Sequence, residues 1–241
     1  MASNDKLITT AASVVLVSDS VDGVTVGEDK ATAFVVTSGD IGDETILNFR
    51  TNDSLINYRL ISTEAVAPGP NGTIAVDAAE SPDGDMLSIV AADGSETLNL
   101  RYLGNKDGGF AYADASVRLS GFTEGYVTND TFDAASGSTT YFFDNALGLN
   151  LGFDTIDNFG SDDMIVTTRR IYDADDSETI TFGANKVLDL SGEGGPKSTD
   201  GKLNPGGQID VNGVSGDVTV LDFLYAREVN GVTYYHYGID A

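Results

Sequence analysis

Residues 41–61 read IGDETILNFRTNDSLINYRLI, and residues 151–171, displaced by 110 positions, read LGFDTIDNFGSDDMIVTTRRI. Eight of the 21 aligned positions are identical, without a gap. The positions that match carry the argument: apolar pairs Ile46/Ile156, Phe49/Phe159 and Leu55/Ile165 stand beside acidic pairs Glu44/Asp154 and Asp53/Asp163. That is the pattern of two strands joined by an acidic turn. The likeness extends outward. Upstream, residues 31–37 (ATAFVVT) resemble 138–144 (STTYFFD), an aromatic-rich strand entering each unit. Downstream, residues 102–112 (YLGNKDGGFAY) resemble 223–234 (FLYAREVNGVTY), a hairpin closing each unit.

Elsewhere the texture is strand, turn, strand. Asp22-Gly23, Asn71-Gly72, Asp83-Gly84, Asp93-Gly94, Asn212-Gly213 and Asn230-Gly231 are turn signals, separated by short β-branched or aromatic runs. No helical period exceeds about two turns. The expectation is an all-β chain of two tandem, related β-sandwich-like modules with few or no helices. The first module, with an N-terminal strand, spans 1–117. A connecting segment spans 118–137, and the second module spans 138–241 with a flexible loop at 192–207, where GEGGPKSTDGKLNPGG is of low complexity.

Composition narrows the function. With 38 Asp plus Glu against 13 Lys plus Arg, the formal net charge is −25, and self-repulsion of that size favours bound or condensed cations. Nucleic acid and anionic membrane surfaces repel such a chain. The acidic residues are mostly Asp beside Gly, Asn and Ser, hence in turns. There is no Cys and a single His, so disulfides, thiolate metal sites and two-imidazole sites are excluded. Residues 11–17 are apolar but flanked by Asp5 and Asp19, which suits a buried strand better than a leader. No stretch approaches the ~18 apolar residues of a membrane helix.

Each repeat copy has the form aromatic strand, Gly/Asp turn, (D/E)-T-I-x-N-F, acidic linker, D-x-(I/L). The carriers are Asp154-Thr155-Ile156-Asp157-Asn158-Phe159 with Asp163-Met164-Ile165, and Glu44-Thr45-Ile46-Leu47-Asn48-Phe49 with Asp53-Ser54-Leu55. This resembles the acidic β segments that flank the calcium-binding nonapeptide repeats of RTX-type bacterial proteins exported by type I secretion. The resemblance implies an extracellular or cell-surface location, export without a cleaved leader, and folding promoted by calcium. The GGxGxDxUx repeat itself is absent, so a β-roll with a regular ladder of ions does not carry over.

Calcium takes six to eight oxygens, well supplied by Asp side chains and carbonyls on a turn. The candidate ligands are Asp154, Asp157, Asp162 and Asp163; Asp43, Glu44 and Asp53, with Asp40 nearby; Asp173, Asp175 and Asp176; and Asp83 with Asp85. None has EF-hand spacing, and Asp in such turns serves equally as turn former and solubilising group. Tyr234, Tyr235, His236 and Tyr237 form a terminal aromatic run, readable as a ligand platform, as Tyr/His coordination in a secreted haem carrier, or as a strand covering a core edge. No nucleophile elbow, Walker loop, HExxH or dinucleotide fingerprint is present, so no catalytic residue is assigned and an enzyme is not expected. The expected role is an extracellular bacterial structural protein, a surface-layer or biofilm-matrix component that self-associates and is stabilised by calcium. The alternative is a calcium-dependent, carbohydrate-binding adhesin using aromatics such as Tyr126 against extracellular polysaccharide. Haem binding or a glycan-active carboxylate pair is the remote one.

Overall fold

A computed structural model gives the structure of the protein and describes residues 7–8, 13–17, 23–26, 30–36, 44–58, 73–75, 79–80, 86–94, 98–192 and 206–239. The fold is all-β; among these residues the helical pieces are single 3-10 turns at Ala115–Val117 and Asn145–Leu147. The chain divides into two compact units, an N-terminal one of Ala11–Val117 and a C-terminal one of Arg118–Ala241 together with Met1–Thr10. Ile8 bridges Leu149, and the Leu7 carbonyl accepts from Asn150 N at 2.8 Å, which ties the start of the chain into the C-terminal unit.

The N-terminal unit contains β1 (Ser13–Val17), β2 (Gly23–Val26), β3 (Thr32–Val36), β4 (Glu44–Phe49), β5 (Ser54–Asn57), β6 (Thr73–Ala75), β7 (Ala79–Glu80), β8 (Met86–Ala91), β9 (Asn99–Lys106) and β10 (Gly109–Asp114). They form two sheets, ordered β1-β3-β5-β10-β9-β6 and β2-β4-β8-β7. The C-terminal unit contains β11 (Thr123–Glu124), β12 (Thr131–Asp133), β13 (Thr140–Phe143), β14 (Phe153–Phe159), β15 (Met164–Thr167), β16 (Thr179–Thr181), β17 (Leu188–Asp189), β18 (Gln208–Gly213), β19 (Gly216–Asp217), β20 (Val220–Val229) and β21 (Val232–Gly238). Its sheets are ordered β11-β13-β15-β21-β20-β16 and β12-β14-β18-β17, with β19 added on β18.

The first five strands of each unit, β1–β5 and β11–β15, alternate between its two sheets, so the chain winds in coils and strands of successive coils pair in parallel. In the C-terminal unit Thr131 pairs with Thr155 and Thr140 with Met164, a coil of 24 residues; in the N-terminal unit Ala33 pairs with Ser54 and Gly23 with Glu44, a coil of 21. An antiparallel hairpin, β9/β10 or β20/β21, then joins the larger sheet through β5 or β15. The repeated segment therefore supplies two strands that do not pair with each other. β4 and β5, like β14 and β15, lie in different sheets, and the acidic turn carries the chain across.

This topology explains the composition of the strands. Parallel strands covered on both faces read as unbroken apolar runs, and β3 and β5 are buried along their whole length. Side chains from both sheets meet in one core: Phe34, Val36 and Leu55 from the larger sheet, Ile46, Phe49 and Ile89 from the smaller. Phe34 and Phe49 stack at 5.7 Å, and in the C-terminal unit Phe132 reaches Tyr141 at 5.3 Å. Burying each such side chain contributes about 1.5–3 kcal/mol.

One boundary differs from the sequence expectation. Residues 118–137, read as a connection from their Gly, Thr, Asn and Asp content, carry β11 and β12, the first coil of the C-terminal unit. Strands this short are set by pairing with the next coil rather than by their own composition. Most of the low-complexity stretch at 192–207 lies outside the described residues.

Candidate functional site

The repeated acidic positions have equivalent surroundings in both copies. Asp163 accepts Thr139 N–H on one carboxylate oxygen and Gly160 N–H on the other, both at 2.8 Å. Asp53 likewise accepts Thr32 N–H and Arg50 N–H, both at 2.9 Å. Arg50 and Gly160 begin the turn that the Asp closes, and Thr32 and Thr139 lie one coil earlier. Each carboxylate thus staples its own turn to the previous coil. Both are buried, at 0% and 2% exposure, and buried backbone N–H groups need such acceptors.

Further staples recur at the 24-residue coil spacing. Buried Asp154 accepts Asp130 N–H at 2.7 Å, and Asp130 in turn accepts Tyr126 N–H at 2.9 Å and the Thr128 hydroxyl at 3.0 Å. Asp144 accepts the Thr168 hydroxyl at 2.5 Å. Asn145 accepts Arg169 N–H at 2.8 Å and donates to the Arg169 and Leu190 carbonyls at 3.0 and 2.8 Å. Sequence reasoning did not single out Asp144 or Asn145. The signal available was their position at the end of an apolar strand, STTYFFDN, where a polar pair has to be satisfied locally.

The Asn-Phe step of the motif has its own cause. Asn48 and Asn158 both have φ of 61°, and the register shifts between Ile46 and Phe49 and between Ile156 and Phe159. Side chains three apart on a regular strand point to opposite faces. The left-handed Asn makes a bulge that turns both Ile and Phe inward, a conformation Asn tolerates better than most residues.

The other expected metal ligands are dispersed. Asp157 accepts from Asn212 Nδ2 at 3.0 Å, and Asp162 is exposed, with its carbonyl accepting the Ser138 hydroxyl at 2.7 Å. Asp173 accepts Asp175 N–H at 3.3 Å and Glu178 N–H at 2.8 Å within its own loop, and Asp176 lies 3.5 Å from Arg170 Nη2. Glu44 opens β4. Asp40, Asp43, Asp83 and Asp85 lie outside the described residues. Among the described residues no three acidic or histidine side chains are grouped so as to hold a metal ion.

The aromatic platform expected at 234–237 is not presented to solvent. Tyr234, His236 and Tyr237 are buried, leaving Tyr235 half-buried. The Tyr234 ring lies 6.2 Å from Phe142, and Tyr237 Oη accepts Ile171 N–H at 2.8 Å. His236 stacks under Tyr225 at 4.1 Å. Hairpin β20/β21 closes the core, so the aromatic run is apolar cover with a polar end pinned to the backbone.

Two buried groups respond to acid in opposite directions. Burial pushes the Asp53 carboxyl up to about 6 from 3.8, outweighing the Arg50 and Thr32 N–H groups and the Arg50 charge. The folded N-terminal unit therefore binds a proton more tightly than the unfolded chain, and its stability rises as pH falls from about 6 towards 3.8, by about 2–3 kcal/mol. Burial holds His236 below its ordinary 6.5, so the C-terminal unit loses stability as pH falls through that value. Amide exchange measured at pH 7.5 and 5.5 is expected to show protection rising in β3–β5 and falling in β15 and β21. Equal shifts in both units would contradict these assignments.

No protein-family model matches the chain, and neither a curated protein nor a solved structure is significantly similar to it. Among the described residues no helix is long and apolar enough to cross a membrane.

Proposed function

We propose that the protein is an extracellular structural component built from two copies of one coiled β module, and that it self-associates by strand addition at an open sheet edge. The observation that carries this reading is β1: it is the end strand of the larger N-terminal sheet and holds Val14 and Leu16 at 54% and 61% exposure. An edge strand with outward apolar side chains is a template for pairing with another chain. The matching sheet orders of the two units support duplication.

Divalent cations, calcium among them, enter through the net charge of −25, lowering repulsion within and between molecules. The stapling aspartates already accept from backbone N–H groups. Light scattering of the full chain is expected to rise on adding millimolar calcium or magnesium alike, and Val14→Lys with Leu16→Lys is expected to abolish the rise while leaving the melting temperature within about 2 °C. Unchanged assembly by the double variant would remove β1 from this reading. A response to calcium that magnesium cannot reproduce would restore a specific ion site.

A further inference from the structure

A cavity of about 350 Å³ opens beside β16 in the C-terminal unit, at the lower end of the roughly 300–1,000 Å³ of small-molecule sites. Ile180, Phe182 and Leu188 form apolar wall, and Tyr172, 40% exposed, stands at the rim. The charged side chains that line it are three carboxylates, Asp173, Asp175 and Asp189, with no Lys, Arg or His among the lining residues. The neighbouring cations are engaged elsewhere: Arg170 lies over Phe223 at 5.2 Å and near Asp176, and Lys186 holds Asp217 at 2.9 Å.

The site is fixed in place. Tyr172 N–H donates to the Ser191 carbonyl at 2.8 Å. Asp189 accepts Ser191 N–H at 2.9 Å, the Ser191 hydroxyl, and Gln208 Nε2 at 3.4 Å. Asp173 orders the loop below Tyr172 through Glu178 N–H. Carboxylates keep accepting capacity beyond these bonds, and burial raises the Asp189 carboxyl above its usual range, so a cation placed beside it relieves a desolvation cost.

The lining selects the ligand class. Anions are repelled by three carboxylates. A bare metal ion is disfavoured because the three are not grouped closely enough to share one, and the apolar walls offer it no oxygen. A neutral polyol forgoes the charge. We propose that this cavity binds a protonated aliphatic amine, its ammonium group held at Asp189 with Asp173 and Asp175 adding longer-range attraction, and its hydrocarbon stem lying against Tyr172, Ile180 and Phe182. The Tyr172 ring adds apolar contact area to the stem. This inference is independent of self-association through β1.

The test is a titration of the full chain with n-butylammonium chloride in about 0.15 M NaCl, which screens diffuse counter-ion binding, followed by amide chemical shifts. Saturable shifts confined to 172–183 and 187–191 are expected, with ammonium chloride binding about tenfold more weakly for want of the stem. Asp189→Asn is expected to weaken binding about tenfold. The exposed changes Tyr172→Ala and Asp175→Asn should each weaken it about threefold without moving the melting temperature, which keeps the test valid if Asp189→Asn unfolds. Shifts spread over the whole acidic surface, equal potency of ammonium, or saturation of the same amides by methyl glucoside in place of the amine would overturn the proposal.

Discussion

Asp163→Ala is expected to unfold the C-terminal unit at a temperature lower by about 10 °C or more, the loss of about 2–5 kcal/mol. The substitution removes the acceptor of two N–H groups, those of Thr139 and Gly160, at a site 2% exposed, where water cannot replace it. Asp163→Asn should cost less: the amide oxygen still accepts one N–H while its NH₂ group faces the other. Asp53→Ala, the same deletion in the N-terminal unit, should cost less than Asp163→Ala at pH 7, because burial already works against the ionised form of Asp53. Thermal unfolding of the three variants, followed by circular dichroism, checks this order. A loss under about 1 kcal/mol for Asp163→Ala would mean the staple is dispensable.

Gly152→Ala is expected to cost about 3 kcal/mol or more. Gly152 has φ of +100°, and a Cβ there would lie 1.9 Å from the Thr128 carbonyl oxygen, one coil away. Backbone stands on the opposite side too, since the Gly152 carbonyl accepts Gln208 N–H at 3.0 Å. Neither neighbour is a flexible side-chain tip, so the coils would have to part. Gly121, with φ of +86° and open space where a Cβ would go, is the control: Gly121→Ala carries conformational strain alone, about 1 kcal/mol. Similar melting temperatures for the two variants would show that coil-to-coil contact at Gly152 is not tight.

The strand content and the equivalence of residues 41–61 and 151–171 were legible because apolar and acidic positions recur together. Parallel winding was not. A strand, an acidic turn and a strand describe a hairpin and a coil equally well until the partner strands are known, and the preceding partner of each lies 21 or 24 residues back rather than across the turn. The Ile-x-x-Phe spacing held a clue, since it breaks the period of two and calls for the bulge at Asn48 and Asn158. The backbone role of the acidic positions was hidden for a related reason. Asp53, Asp154 and Asp163 read as ion ligands because acidic residues in Gly-rich turns normally face solvent, whereas here they point inward to backbone N–H groups that only a coiled topology brings near. The Tyr234–Tyr237 run lost its reading as a platform because β21 pairs on both sides, with β15 and β20, and three of its four rings face protein.

The staple account rests on what holds the Thr32 and Thr139 amides in place. Hydrogen exchange at these two N–H groups, followed with calcium and again in excess EDTA, separates the possibilities directly. Carboxylate acceptance from Asp53 and Asp163 predicts strong protection that is the same in both conditions. Protection that collapses when EDTA removes the divalent ions would show that metal, and not the backbone, holds these carboxylates.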